Sequence, residues 1–152
     1  MANENDTKFM QALMLVPEEL QAEFFRKNAH QIKDDSTYWN VLGTLWKLGG
    51  TVAQQELWKE MLSAPRKNSH KIMKNKERSV WRRLPNKVKA YRAINHDGEI
   101  DTAISWTLSR KIAEKFSQNG KRKVVSREFR KAEIFAYFDR RNEDEILVNL
   151  AV

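Results

Sequence analysis

Apolar residues in the first third of the chain recur at three- and four-residue spacing, with Phe9, Leu13 and Val16 followed by Leu20, Phe24 and Phe25. That spacing lines one face of a helix and predicts amphipathic helices over this region. Pro17-Glu18-Glu19 reads as a helix start, with proline in the first turn and carboxylates beside the positive end of the helix dipole. Asp35-Ser36 is expected to cap a further helix from Thr37 to Leu48 that stops at Gly49-Gly50. Another short helix is expected from Thr51 to Leu62, ended by Pro65. Trp39, Trp46 and Trp58 fall at helical spacing, where aromatic side chains usually fill a core rather than form a ligand platform.

After Pro85 the period changes from 3.6 to two. Lys87 to Ala93 alternates and is expected to be a strand, followed by a turn or loop at Asn95-His96-Asp97-Gly98. A short strand at Ile104–Thr107 then leads into a helix, Ser109–Ser117, closed by Asn119-Gly120. Lys123–Phe129, Ala132–Phe138 and Glu145–Leu150 read as three more strands. Helices first and a small mixed β core with one embedded helix afterwards make an α+β chain.

Length adds that one domain is expected over residues 1–152, comprising a helical lobe (1–65), a basic segment (66–90) and a β-rich core (91–152). The chain has no cysteine, which excludes disulfides, thiolate metal sites and a cysteine nucleophile. No cluster of histidines and carboxylates has ligand spacing, so no metal is expected. The opening residues lack the pattern of a signal peptide and no stretch has the length of a membrane span, so a soluble, cytoplasmic protein is expected. The net charge of +8 is unevenly spread. Residues 66–90 hold ten Lys and Arg against the single acid Glu77, a field that attracts phosphates or an acidic partner.

Three short segments of the β half carry candidate chemistry. They are Tyr91-Arg92-Ala93, then Ser105-Trp106-Thr107, then Glu143-Asp144-Glu145 running into Ile146-Leu147-Val148. In that order, on expected strands, they resemble the NAD-binding core of the ADP-ribosyltransferases of the Arg–Ser–Glu type. Ala113 and Phe116 resemble the helix after the family's Ser-x-Thr strand, and Ile134–Phe138 its strand before the glutamates. The resemblance covers about Tyr91 to Val148.

It implies that the chain cleaves NAD and transfers ADP-ribose to a macromolecular acceptor. Loss of nicotinamide leaves positive charge on the ribose, which a fixed carboxylate stabilises. Glu145 would be that carboxylate and Ser105 would hold it, with Thr107 lining the pocket. Arg92 would meet the NAD phosphates as a bidentate donor. The backbone of Ala93 would lie against the nicotinamide amide, with Phe116 or Trp81 as stacking partners. Glu143 resembles the second carboxylate of a Glu-x-Glu motif, which in the family goes with arginine as acceptor. The natural acceptor would be an acidic macromolecule, protein before nucleic acid, and the layout resembles proteins of bacterial viruses that modify host machinery.

The sequence departs from the family pattern at Ala93, where glycine is common, and in the short gap between Arg92 and Ser105. His96 does not coincide with the histidine of the other major transferase class. Two other readings stay open: a nucleic-acid-binding module built on residues 66–90, with Trp81 stacking on a base, and a transferase-like protein that has lost turnover and acts as an inhibitor.

Overall fold

In a computed structural model, residues 4–49 and 54–150 are described. The expected helix end at Gly50 and helix start at Thr51 lie outside them. The chain forms two compact units, Met1–Ile72 and Met73–Val152, and the boundary falls inside the basic stretch, so that residues 66–72 belong to one unit and 73–90 to the other.

The first unit is helical, with α1 (Glu4–Met14), α2 (Glu18–Asn28), α3 (Asp35–Gly49) and α4 (Gln55–Leu62). Pro17 stands just before α2 as its cap residue rather than in its first turn. Phe9, Leu13, Phe25, Leu42 and the three tryptophans form the core, and the Trp46 and Trp58 rings meet edge to face at 5.0 Å. Those tryptophans are packing residues. Tyr38 donates its hydroxyl to the carbonyl of Met61 at 2.7 Å, and burial pushes its pKa up to about 12. Arg66 closes the unit, donating to the Ile32 carbonyl at 2.6 Å and lying over the Tyr38 ring.

The second unit is a five-stranded sheet with three helices. Its elements are α5 (Asn75–Arg83), β1 (Lys87–Ile94), α6 (Glu99–Thr102), β2 (Ser105–Thr107), α7 (Arg110–Phe116), β3 (Lys123–Arg130), β4 (Ala136–Phe138) and β5 (Glu145–Leu147). The strand order is β3-β1-β2-β5-β4, and every pairing is antiparallel, so the sheet is not mixed. The whole chain is α+β.

Two helices stand beside the expected one. α5 forms in the basic stretch because Glu77 accepts the backbone N–H of Lys74 at 2.8 Å and closes the first turn. α6 follows the expected loop. The strand expected from Ala132 begins only at Ala136, because Glu133 accepts the N–H of Arg130 at 2.7 Å and folds Lys131–Glu133 into a 3-10 turn. β5 ends at Leu147, and two residues later Asn149 is left-handed (φ 57°). Behind the sheet lie Val88, Ala90, Ile94, Trp106, Phe129 and Ile146, with the Trp106 and Phe129 rings edge to face at 5.2 Å.

Candidate active site

The register brings the expected segments side by side. Thr107 of β2 pairs with Tyr91 of β1 on one side and with Glu145 of β5 on the other, while Ser105 pairs with Leu147. Side chains alternate across a strand, so Tyr91, Ala93, Ser105, Thr107 and Glu145 share one face. Trp106 and Ile146 take the other.

Glu145 is 5% exposed and accepts a hydrogen bond on Oε2 from the Ser105 hydroxyl. On the other carboxylate oxygen it meets the Arg141 guanidinium at 3.7 Å. Arg141 also lies 3.4 Å from the Glu143 carboxylate, so one guanidinium spans both glutamates.

The backbone of the β4–β5 connection is laced to β2. Thr107 Oγ1 donates to the Glu143 carbonyl at 2.7 Å and accepts the N–H of Ser109 at 3.1 Å, while the Leu108 N–H donates to the Asp144 carbonyl at 2.9 Å. Asn142 and Asp144 are left-handed (φ 55° and 49°), a conformation that these two residue types tolerate better than most. The Tyr137 hydroxyl donates to Asp144 Oδ1 at 2.6 Å. Burial and the neighbouring carboxylates, Asp144 foremost, push the Tyr137 pKa up, so it remains a donor. Glu77 anchors the start of the connection, accepting the Asp139 N–H at 2.9 Å and pairing with Arg140 at 3.2 Å.

Arg92 belongs to a neighbouring cluster. Strand alternation, unbroken along the β1–β3 pairing, sends it to the face opposite Glu145. Its Nη2 lies 3.0 Å from Glu99, and Nη1 donates to the Ser105 carbonyl at 2.7 Å. The two side chains are only 10% and 7% exposed. Burial alone would raise the Glu99 pKa, but the N–H groups of Asn95 and His96 together with Arg92 outweigh it and hold the carboxyl below its usual range. The guanidinium expected to meet phosphates is here committed to Glu99 and to β2.

Ala93 is buried, and its carbonyl accepts from Arg122 Nη2 at 2.7 Å. Arg122 Nη1 donates to the Phe116 carbonyl at 3.3 Å, which ties the end of α7 to β1. Arg122 makes no ion pair with a described carboxylate. Phe116 itself is 46% exposed, and Trp81 is half-buried with its indole N–H on the Ile134 carbonyl at 3.1 Å.

The structure thus brings together Ser105, Thr107, Glu143 and Glu145, and joins Arg92 to them through the Ser105 backbone. Sequence reasoning missed Arg141, Glu99 and Arg122. Only Arg141 carries a local signal, standing two and four positions before the glutamates it meets. Chemically, the arrangement offers a buried carboxylate oriented by a hydroxyl and a second, more accessible carboxylate two residues away. Among the described residues no three His, Asp or Glu are grouped to hold a metal ion, and no described helix is long and apolar enough to cross a membrane. No protein-family model, curated protein or solved structure matches the chain.

Proposed function

We propose that the chain is a mono-ADP-ribosyltransferase, and that the antiparallel sheet of its second unit is the NAD-binding core. The observation that carries this reading is the hydrogen bond from Ser105 to Glu145 on adjacent strands, with the Glu-x-Glu backbone tied to the Ser-x-Thr strand through Thr107. The two residues are 40 positions apart in the chain and meet through a hydroxyl and a carboxylate, which supports the reading.

In this reading Glu145 faces the nicotinamide ribose and stabilises the charge that develops as nicotinamide leaves. Ser105 keeps its carboxylate oriented, which matters because a fixed charge need not reorganise as the reaction proceeds. Thr107 sets the height of Glu143, whose carboxylate draws the proton from an incoming acceptor. Arg92 acts as the strut between β1 and β2. A direct contact from Arg92 to the NAD phosphates, which the family resemblance implies, requires the guanidinium to leave Glu99 and to reach round the sheet from the face opposite Glu145. Ala93 and Phe116 border the nicotinamide on the β1 side, where the Arg122 contact to the Ala93 carbonyl must give way to the amide. No metal takes part. The acceptor is an acidic macromolecule, with arginine as the modified side chain, and the setting is a bacterial cytoplasm entered by a virus.

Calorimetry with NAD tests the binding half of this reading. Saturable heat at millimolar NAD, without added metal, is expected. Well-folded protein that takes up no NAD would contradict it.

The second reading, a polyanion-binding module, is favoured by the exposed Arg82, Arg83, Lys87 and Lys89, and it is compatible with docking of an acidic acceptor.

A further inference from the structure

Arg140 and Arg141 are adjacent in sequence and placed very differently. Arg140 is pinned to Glu77 at 3.2 Å and its side chain is 9% exposed. Arg141 turns to the two glutamates and its side chain is 35% exposed. Its distances, 3.4 Å to Glu143 and 3.7 Å to Glu145, exceed those of a tight charge-assisted hydrogen bond. The Arg141–Glu143 pair, 35% and 27% exposed, is held weakly, and at these distances the guanidinium can move when a ligand enters. The backbone under it is fixed, because Thr107 holds the Glu143 carbonyl, Tyr137 holds Asp144 and Glu77 holds Asp139. A guanidinium is therefore tethered beside the two carboxylates of the candidate site.

We propose that Arg141 is an acceptor built into the chain, a site of self-modification by ADP-ribose. The proposal rests on the transferase reading above. With NAD seated, Arg141 moves off Glu145, which Ser105 keeps facing the ribose, and stays with Glu143. The Glu143 carboxylate takes one proton from the guanidinium, and the freed nitrogen lone pair forms a bond to C1′ of the ribose. The bond from C1′ to the pyridinium nitrogen breaks, and its electron pair leaves with neutral nicotinamide. The proton passes from Glu143 to water. The products are ADP-ribosylated Arg141, nicotinamide and one proton, with no other reactant. Because the acceptor is tethered, the step is unimolecular once NAD is bound.

The test uses the purified full chain and NAD alone, with nicotinamide release followed in parallel with peptide mapping of the adduct by mass spectrometry. The expected result is release of nicotinamide, ADP-ribose on Arg141 and not on Arg140, and a modified fraction that grows at a rate independent of protein concentration. Arg141→Lys, which keeps the charge but removes the guanidinium, should lose the adduct from this peptide. Release of nicotinamide with the adduct elsewhere, with no adduct, or with a rate that rises with protein concentration would overturn the proposal and leave the transferase reading standing. Absence of nicotinamide release, even with an added guanidino compound such as agmatine, would overturn the transferase reading and this proposal with it.

Discussion

Glu145 and Glu143 are two positions apart in very different settings. The first is buried and held by Ser105, whereas the Glu143 side chain is 27% exposed and meets Arg141 loosely, its carbonyl fixed by Thr107. Glu145→Ala should abolish nicotinamide release and transfer alike, while Glu143→Ala should spare release and suppress transfer. Equal loss of both activities in both variants would remove the division of roles. Ser105→Ala leaves the Glu145 carboxylate without its hydroxyl donor, and release should fall by about a hundredfold, the order expected for a misplacement of about an ångström. Arg92 and Glu99 make a separate prediction. Removing one member of a buried ion pair leaves an unpaired charge and costs about 3–5 kcal/mol, so Arg92→Ala should lower the urea midpoint markedly. The pair also sets a pH dependence, because the folded pKa of Glu99 lies below that of an unfolded glutamate, about 4.3. Its stabilisation is present in full above the unfolded value and is lost as pH falls through the folded one. The stability deficit of Glu99→Gln should therefore be largest at neutral pH and shrink in acid, as urea titrations at the two conditions would reveal.

Among the elements, α5 and the β4–β5 connection depend on each other through Glu77, which caps the helix, pairs with Arg140 and holds the Asp139 N–H. Glu77→Ala should lower the melting temperature and speed hydrogen exchange at the amides of Asp139 and Asp144. Unchanged exchange at Asp144 would show that the connection is held from β2 alone. None of this coupling is legible in the sequence, where Glu77 is one acid among ten cations and α5 offers only Val80 and Trp81 as large apolar residues. β1 is legible because exposed Lys87 and Lys89 alternate with buried Val88 and Ala90. β4 is shorter than its apolar run suggests, since a side-chain cap at Glu133 competes with the extended backbone over Lys131–Glu133. The Ser105–Glu145 contact follows from strand register, which no periodicity encodes. Only the resemblance pointed to it. The Glu99 partner of Arg92 sits on a helix of four residues, too short to leave a periodic trace.

Over the whole chain the charge is concentrated, with ten Lys and Arg between residues 66 and 90. On the transferase reading, the two phosphates of NAD do not need the seven of these cations that lie in the second unit, Lys74 to Lys89, and an acidic acceptor suits them better. Such contacts are screened over roughly 8 Å at physiological ionic strength and weaken with salt. Replacing Arg82, Arg83, Lys87 and Lys89 together by neutral residues should lower transfer to the acceptor and flatten its salt dependence while leaving NAD affinity nearly unchanged. Loss of NAD binding with acceptor affinity intact would instead make the segment part of the cofactor site. The proposed activity requires that the carboxylate held by Ser105 promote cleavage of NAD. Nicotinamide release by the purified chain, compared with that of Glu145→Gln, measures this most directly, because glutamine keeps the shape and can still accept from Ser105 but carries no charge. Steady release is expected from the unaltered protein and none above background from the variant, with matching circular dichroism. Equal release by both, or none by either in the presence of agmatine, would contradict the proposal.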